Sequence, residues 1–188
     1  EFFYWDRNYE VKARLWDEEL FLPAVAVGIR DVVGTGRFGS EYVVASKGFG
    51  RADVSIGVGW GRLAGNGVAG NPLVRLSERF SRRDPEYGLG GDVSFGDFFS
   101  GPRVGVFGGV GYSFEKWPVD LLLEYNPDQY NFNFERGGER PSSPLSFGIS
   151  WEALPGTTLS LSHQNGDEVG FSAQFALDSL ADPVRPKK

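Results

Sequence analysis

The sequence predicts an all-β chain: an antiparallel meander of about ten strands forming a transmembrane β-barrel or part of one. Three observations carry this. Apolar side chains recur at every second position, the opposite positions are rich in Gly and Ser, and Gly, Pro, Asn and Asp clusters punctuate the extended stretches. Residues 51–61, RADVSIGVGWG, show the division most clearly. Ala52, Val54, Ile56, Val58 and Trp60 fall on one side, and Arg51, Asp53, Ser55, Gly57, Gly59 and Gly61 on the other.

Strands are expected, in order, at 9–16, 22–31, 38–47, 51–61, 103–114, 118–126, 129–135, 144–152, 157–163 and 168–177. The first ends at the acidic turn DEEL. The second sets Val25, Val27 and Ile29 against Ala24, Ala26, Gly28 and Arg30, and the third runs to KGFG before residues 51–61. Strand 103–114 sets Val104, Val106, Val110 and Tyr112 against Arg103, Gly105, Gly109, Gly111 and Ser113, with Phe107 out of pattern. Strand 118–126 opposes Val119, Leu121, Leu123 and Tyr125 to Asp120, Leu122, Glu124 and Asn126, and NPDQ separates it from 129–135, with Tyr130, Phe132 and Phe134 on one face. Strand 144–152 alternates Leu145, Phe147, Ile149 and Trp151 with Ser146, Gly148, Ser150 and Glu152. Asn165-Gly166 joins the last two strands and is the strongest hairpin signal in the chain.

Closure into a barrel is inferred from the second face. Gly and Ser offer little solubilising surface and weaken a strand, yet suit a narrow interior with no room for larger groups. Aromatic residues near strand ends suit the two interface girdles of a membrane barrel, and in lipid the backbone would require closure. A soluble sheet shows the same alternation, and several stretches are shorter than the roughly 9–11 residues that cross a bilayer.

The composition narrows the remaining classes. The 188 residues read as a single domain, 1–188, with an irregular insertion at 62–102. There is no Cys, which excludes disulfides, thiolate nucleophiles and cysteine metal sites, and no Met, so a processed or excised chain is expected. No apolar run reaches the length of a membrane helix. A net charge of -6 gives no basis for nucleic-acid binding. Within the insertion, NPLVRLSERFSRR is expected to form a short amphipathic helix with Leu73, Leu76 and Phe80 on one side, and GGDVSFGDFF another short strand presenting Val93 and Phe95.

Catalytic chemistry finds no constellation. His163, the single histidine, lacks a second histidine or a cysteine partner and reads as a surface or girdle residue. Asp17, Glu18 and Glu19 form an acidic turn without the spacing of a calcium loop. GVGWG and GTGRFG do not sit at a strand-to-helix junction, as a phosphate loop would. No catalytic residue, metal site or cofactor is assigned, and no enzymatic activity is expected. Lys12, Arg14, Arg30, Glu41, Lys47, Arg51, Asp53, Asp120, Glu124 and Glu152 are the candidate lumen charges, bases early and acids late. A salt-bridged filling is favoured over a permeation path.

Residues 22–63, LPAVAVGIRDVVGTGRFGSEYVVASKGFGRADVSIGVGWGRL, closely resemble the YjbH/GfcD-like family of outer-membrane proteins associated with exopolysaccharide or capsule production. GNPL at 70–73, FFSGPRVGVFGGVGY at 98–112, LLLEYNPDQY at 121–130 and RPSSPLSFGISW at 140–151 look like further landmarks in the family's order. The resemblance implies a bacterial outer-membrane location, contact with outer-membrane lipid, and support of exopolysaccharide or capsule secretion alongside polysaccharide and export-machinery partners. It supplies no catalytic motif. Family members are usually longer and carry a lipid-modified cysteine absent here, which suggests a fragment, a divergent short member or one barrel of a multi-part protein. Arg75, Arg82 and Arg83 in the insertion are the expected contacts to glycan acids or a partner. The alternatives are a non-conducting structural or interaction barrel in an envelope assembly, or a soluble β-sheet carbohydrate-binding module.

Overall fold

A computed structural model of the chain describes residues 8–33, 38–83, 96–130 and 139–176. Ten strands are present among them: β1 (Val11–Trp16), β2 (Ala24–Arg30), β3 (Ser40–Phe49), β4 (Ala52–Gly59), β5 (Ala69–Gly70), β6 (Arg103–Ser113), β7 (Val119–Tyr125), β8 (Leu145–Leu154), β9 (Thr157–Gln164) and β10 (Glu168–Phe175). They form one antiparallel sheet in the order β1-β2-β3-β4-β6-β7-β8-β9-β10, with the two-residue β5 paired to β6. The meander therefore follows the order read from the alternation. The turn over 164–167 has Asn165 at φ 56° and Gly166 at φ 89°, the left-handed pair that a primed hairpin turn needs.

The predicted closed transmembrane barrel does not form. Among the described residues β1 and β10 are not paired with each other, so the sheet is open and keeps two free edges. Such edges leave rows of unpaired backbone groups, which hydrocarbon does not tolerate. Alternation fixes which side chains share a face and says nothing about whether the first and last strands meet. Closure also demands a tilt and stagger common to every strand. Among the described residues no helix is long and apolar enough to cross a membrane, an observation that does not bear on strands.

Two further expectations change. The helix expected in NPLVRLSERFSRR is replaced by two single 3-10 turns, Pro72–Arg75 and Glu78–Ser81. Asn71 and Ser77 each accept a backbone N–H two residues on, so the segment restarts instead of propagating. Most of the expected strand 129–135, together with Val93 and Phe95, lies outside the described residues.

The registers sort the faces. Val27, Val43, Val58 and Val106 lie in one cross-strand row, and Phe49, Ala52, Tyr112, Leu121, Ile149, Leu161 and Phe171 in another on the same face. This apolar face is exposed at Phe147, Ile149, Trp151, Leu161 and Phe171. The polar face carries Ser46, Ser55, Ser150 and Ser160, whose hydroxyls pair across strands at 2.7 and 2.8 Å. Among the described residues the buried apolar side chains are Ala26, in the middle of β2, and Trp60, Leu63 and Val104, at the end of the sheet where a third 3-10 turn, Gly61–Ala64, packs on β3, β4 and β6.

Candidate functional site

The polar face seats two aromatic rings on glycine. Tyr42 of β3 pairs with Gly28 of β2, and Phe107 of β6 pairs with Gly57 of β4. Each ring lies over its glycine so closely that a Cβ at position 28 or 57 would overlap it. The rings meet edge to face, with centroids 5.8 Å apart and planes at 90°, an arrangement favoured by the aromatic quadrupole. Leu63, carried in by the 3-10 turn, sits over Gly59 in the same way and closes one end. The glycines that suggested a narrow lumen therefore make room for side chains lying on the sheet.

These rings belong to a cavity of about 480 Å³ bordered by β1, β2, β3, β4, β6 and β7. A flat sheet would hold β1 and β7 roughly 24 Å apart at the ordinary strand spacing. One cavity reached by both requires the sheet to curl with its polar face inside. Lys12 and Arg30 border the cavity on the β1–β2 side, and Asp53 and Glu124 on the β4 and β7 side, with Asn126 beside them. Lys12, Asp53 and Glu124 have no ion-pair partner among the described residues, and the nearest approach of Arg30 to Glu10 is 3.7 Å, at Nε. The Arg30 guanidinium also stands 5.7 Å from the Tyr42 centroid, a cation–π contact.

The other candidate lumen charges are spread over the sheet and its turns. Arg14 pairs with Asp17 at 2.6 Å and Arg51 with Glu115 at 2.8 Å. Lys47 donates to Glu18 at 3.0 Å, and Gly48 N–H donates to the same carboxylate. The Lys47 hydrogen bond, followed by that from Gly48, holds the Glu18 carboxyl below its ordinary range. Asp120 lies opposite Ser113 and Ser150, and Glu152 accepts from Gly156 N–H at 3.3 Å.

Glu41 is fully buried and belongs to a lock that holds the insertion. Its carboxylate accepts both terminal nitrogens of Arg83, at 2.7 and 2.9 Å, and the Phe99 N–H at 2.8 Å. Beside it, Asn71 Oδ1 accepts from Trp60 Nε1 and from Leu73 N–H, and its Nδ2 donates to the carbonyls of Phe80, Phe99 and Gly101. Arg62 pairs with Asp128 at 2.7 Å and stands over the rings of Phe38 and Tyr130. Arg83 is thus committed to Glu41, whereas Arg75 and Arg82 are exposed and form no ion pair among the described residues.

Sequence reasoning missed Tyr42, Phe107 and Asn71. The available signal was Phe107 itself, the apolar residue that breaks its strand's alternation, together with Gly57 among the apolar run of β4. Among the described residues no three His, Asp or Glu side chains are placed to hold a metal ion.

A family described as exopolysaccharide biosynthesis protein YbjH (family YjbH) matches residues 2–187. The chain is 38% identical over 190 residues to a protein of Escherichia coli (strain K12) named "Uncharacterized lipoprotein YjbH". The alignment covers 98% of this chain and 27% of that relative, so the chain spans about a quarter of the relative's length. No solved structure matches the chain.

Proposed function

Because the chain belongs to the YjbH family of exopolysaccharide biosynthesis proteins, we propose that its curled sheet is a glycan-binding module, with the saccharide lying on the polar face against Tyr42 and Phe107. The carrying observation is the pair of rings laid on Gly28 and Gly57 inside a cavity bordered by charged and amide side chains. The C–H face of a sugar ring packs on an aromatic surface, while its hydroxyls take hydrogen bonds from side chains such as Lys12 and Asn126 and give them to Asp53 and Glu124. Few convergent polar groups around an apolar floor is the usual composition of a ligand site.

The expected export barrel in the outer membrane is set aside, because among the described residues the sheet is open, β1 and β10 not being paired with each other. Of the sequence-derived alternatives, a carbohydrate-binding β-sheet module accounts for the cleft. The relative's description as a lipoprotein supports a place at the cell envelope. The role is binding without catalysis, and Arg75 and Arg82 extend the contact surface toward acidic groups of the polymer or a protein partner.

Isothermal titration of the chain with fragments of the exopolysaccharide made by its own source strain tests this reading. Saturable binding that weakens roughly fivefold in Phe107→Ala supports it. No binding, or binding indifferent to both Tyr42→Ala and Phe107→Ala, contradicts it.

A further inference from the structure

We propose that the cleft selects an acidic sugar and holds it in one polarity, its carboxylate toward Lys12 and Arg30 and its hydroxyls toward Asp53 and Glu124. This rests on the glycan-binding reading above and adds the ligand's charge and orientation.

The placement of the four charges carries the inference. Lys12, Gly28 and Tyr42 lie in one cross-strand row, and Arg30 is two residues beyond Gly28 on the same face. Both bases therefore flank the Tyr42 ring from the β1–β2 side. The acids occupy the far side: Asp53 pairs with Gly111, and Glu124 with Gly109 and Ser146. Opposite charges bordering one cavity would ordinarily neutralise each other by direct pairing. Here Lys12, Asp53 and Glu124 have no ion pair among the described residues, and Arg30 comes no nearer to Glu10 than 3.7 Å, beyond hydrogen-bond distance. The Arg30 guanidinium donates no hydrogen bond among the described residues, which leaves it for a carboxylate, a group that a guanidinium recognises through two parallel hydrogen bonds.

The adjoining surface sharpens the polarity. Arg14 borders the next hollow along β1, and Asp17 at 2.6 Å compensates its charge. Lys12 borders both hollows and has no ion pair among the described residues. Across the cavity, Asp53 and Glu124 repel a carboxylate but accept strongly from sugar hydroxyls, because hydrogen bonds to an ionised acceptor exceed neutral ones. A uronic acid and a sugar bearing a pyruvate ketal share the recognised chemistry, a carboxylate fixed on a pyranose ring.

Tetragalacturonic acid and its carboxyl-reduced counterpart, galactotetraose, are the probes, titrated calorimetrically into the chain at low and raised salt. The acidic tetrasaccharide is expected to bind about tenfold more tightly than the neutral one at low salt, as a charge-assisted contact would give. Raised salt shrinks that preference. The Lys12→Gln/Arg30→Gln double variant is expected to bring the two affinities together, with its urea midpoint and circular dichroism spectrum reporting an intact fold. Asp53→Asn/Glu124→Gln is expected to tighten the acidic ligand and weaken the neutral one. Equal affinity for both probes, or a preference that survives in the Lys12/Arg30 double variant, overturns the charge selectivity and leaves the glycan cleft standing. Failure of the unmodified chain to bind either probe, together with failure to bind the source strain's polymer, overturns both.

Discussion

The ring of Phe107 rests on Gly57, its cross-strand partner, with no space for a Cβ between them. Gly57→Ala must push the ring off the sheet, and overpacking of this kind costs about 1–3 kcal/mol. The substitution should lower the urea midpoint, and Phe107→Ala in the same chain should recover part of the loss. A double variant as unstable as the sum of the two single ones would deny the contact.

Arg83→Ala strands a fully buried carboxylate at Glu41, which otherwise holds both guanidinium nitrogens. Removing one partner of a buried pair costs about 3–5 kcal/mol. Chemical denaturation should show that loss for Arg83→Ala. Arg75→Ala and Arg82→Ala, at exposed positions, should each stay within about 0.5 kcal/mol of the parent.

Asn71→Asp keeps the acceptor for Trp60 Nε1 and removes the donor that serves the carbonyls of Phe80, Phe99 and Gly101. A carboxylate would face three carbonyl oxygens; Phe80 O still accepts from Gly101 N–H, but those of Phe99 and Gly101 lose this donor, at about 1–3 kcal/mol each before relaxation. The variant should be markedly less stable than the parent. The Trp60 indole N–H resonance should also move, because its partner has gained charge.

Glu18 has a folded-state pKa below its unfolded value, first because Lys47 donates to it and then because Gly48 N–H does. A depressed carboxyl contributes stability above the ordinary glutamate range and loses it as pH falls through the lower folded value. A carboxyl carbon NMR titration should place the Glu18 midpoint below that of a free glutamate. Lys47→Gln should raise it. An unchanged midpoint in that variant would remove Lys47 as the main cause.

Much of the fold was legible because period-two alternation is local. Val54, Ile56 and Val58 share a face, as the pattern requires, and Asn165-Gly166 makes the expected left-handed turn. Closure was not legible, since whether β1 meets β10 depends on the tilt and stagger of the whole sheet. The polar face was read correctly as rich in Gly, but the reason for Gly57 lies 50 residues away in Phe107, and no local window contains both. Glu41 and Arg83 were each picked out as charged candidates. Their pairing is a contact across 42 residues, made by the insertion folding back, and separate readings of the two segments could not join them.

Chemical-shift mapping on the isotope-labelled chain, titrated with oligosaccharides from its source strain's exopolysaccharide, tests the central claim most directly. The largest changes should fall on the polar face, at Lys12, Arg30, Tyr42, Phe107 and Glu124, while Phe147, Ile149 and Phe171 on the opposite face stay unmoved. Changes confined to the apolar face, or none at saturating saccharide, would contradict a glycan cleft on this sheet.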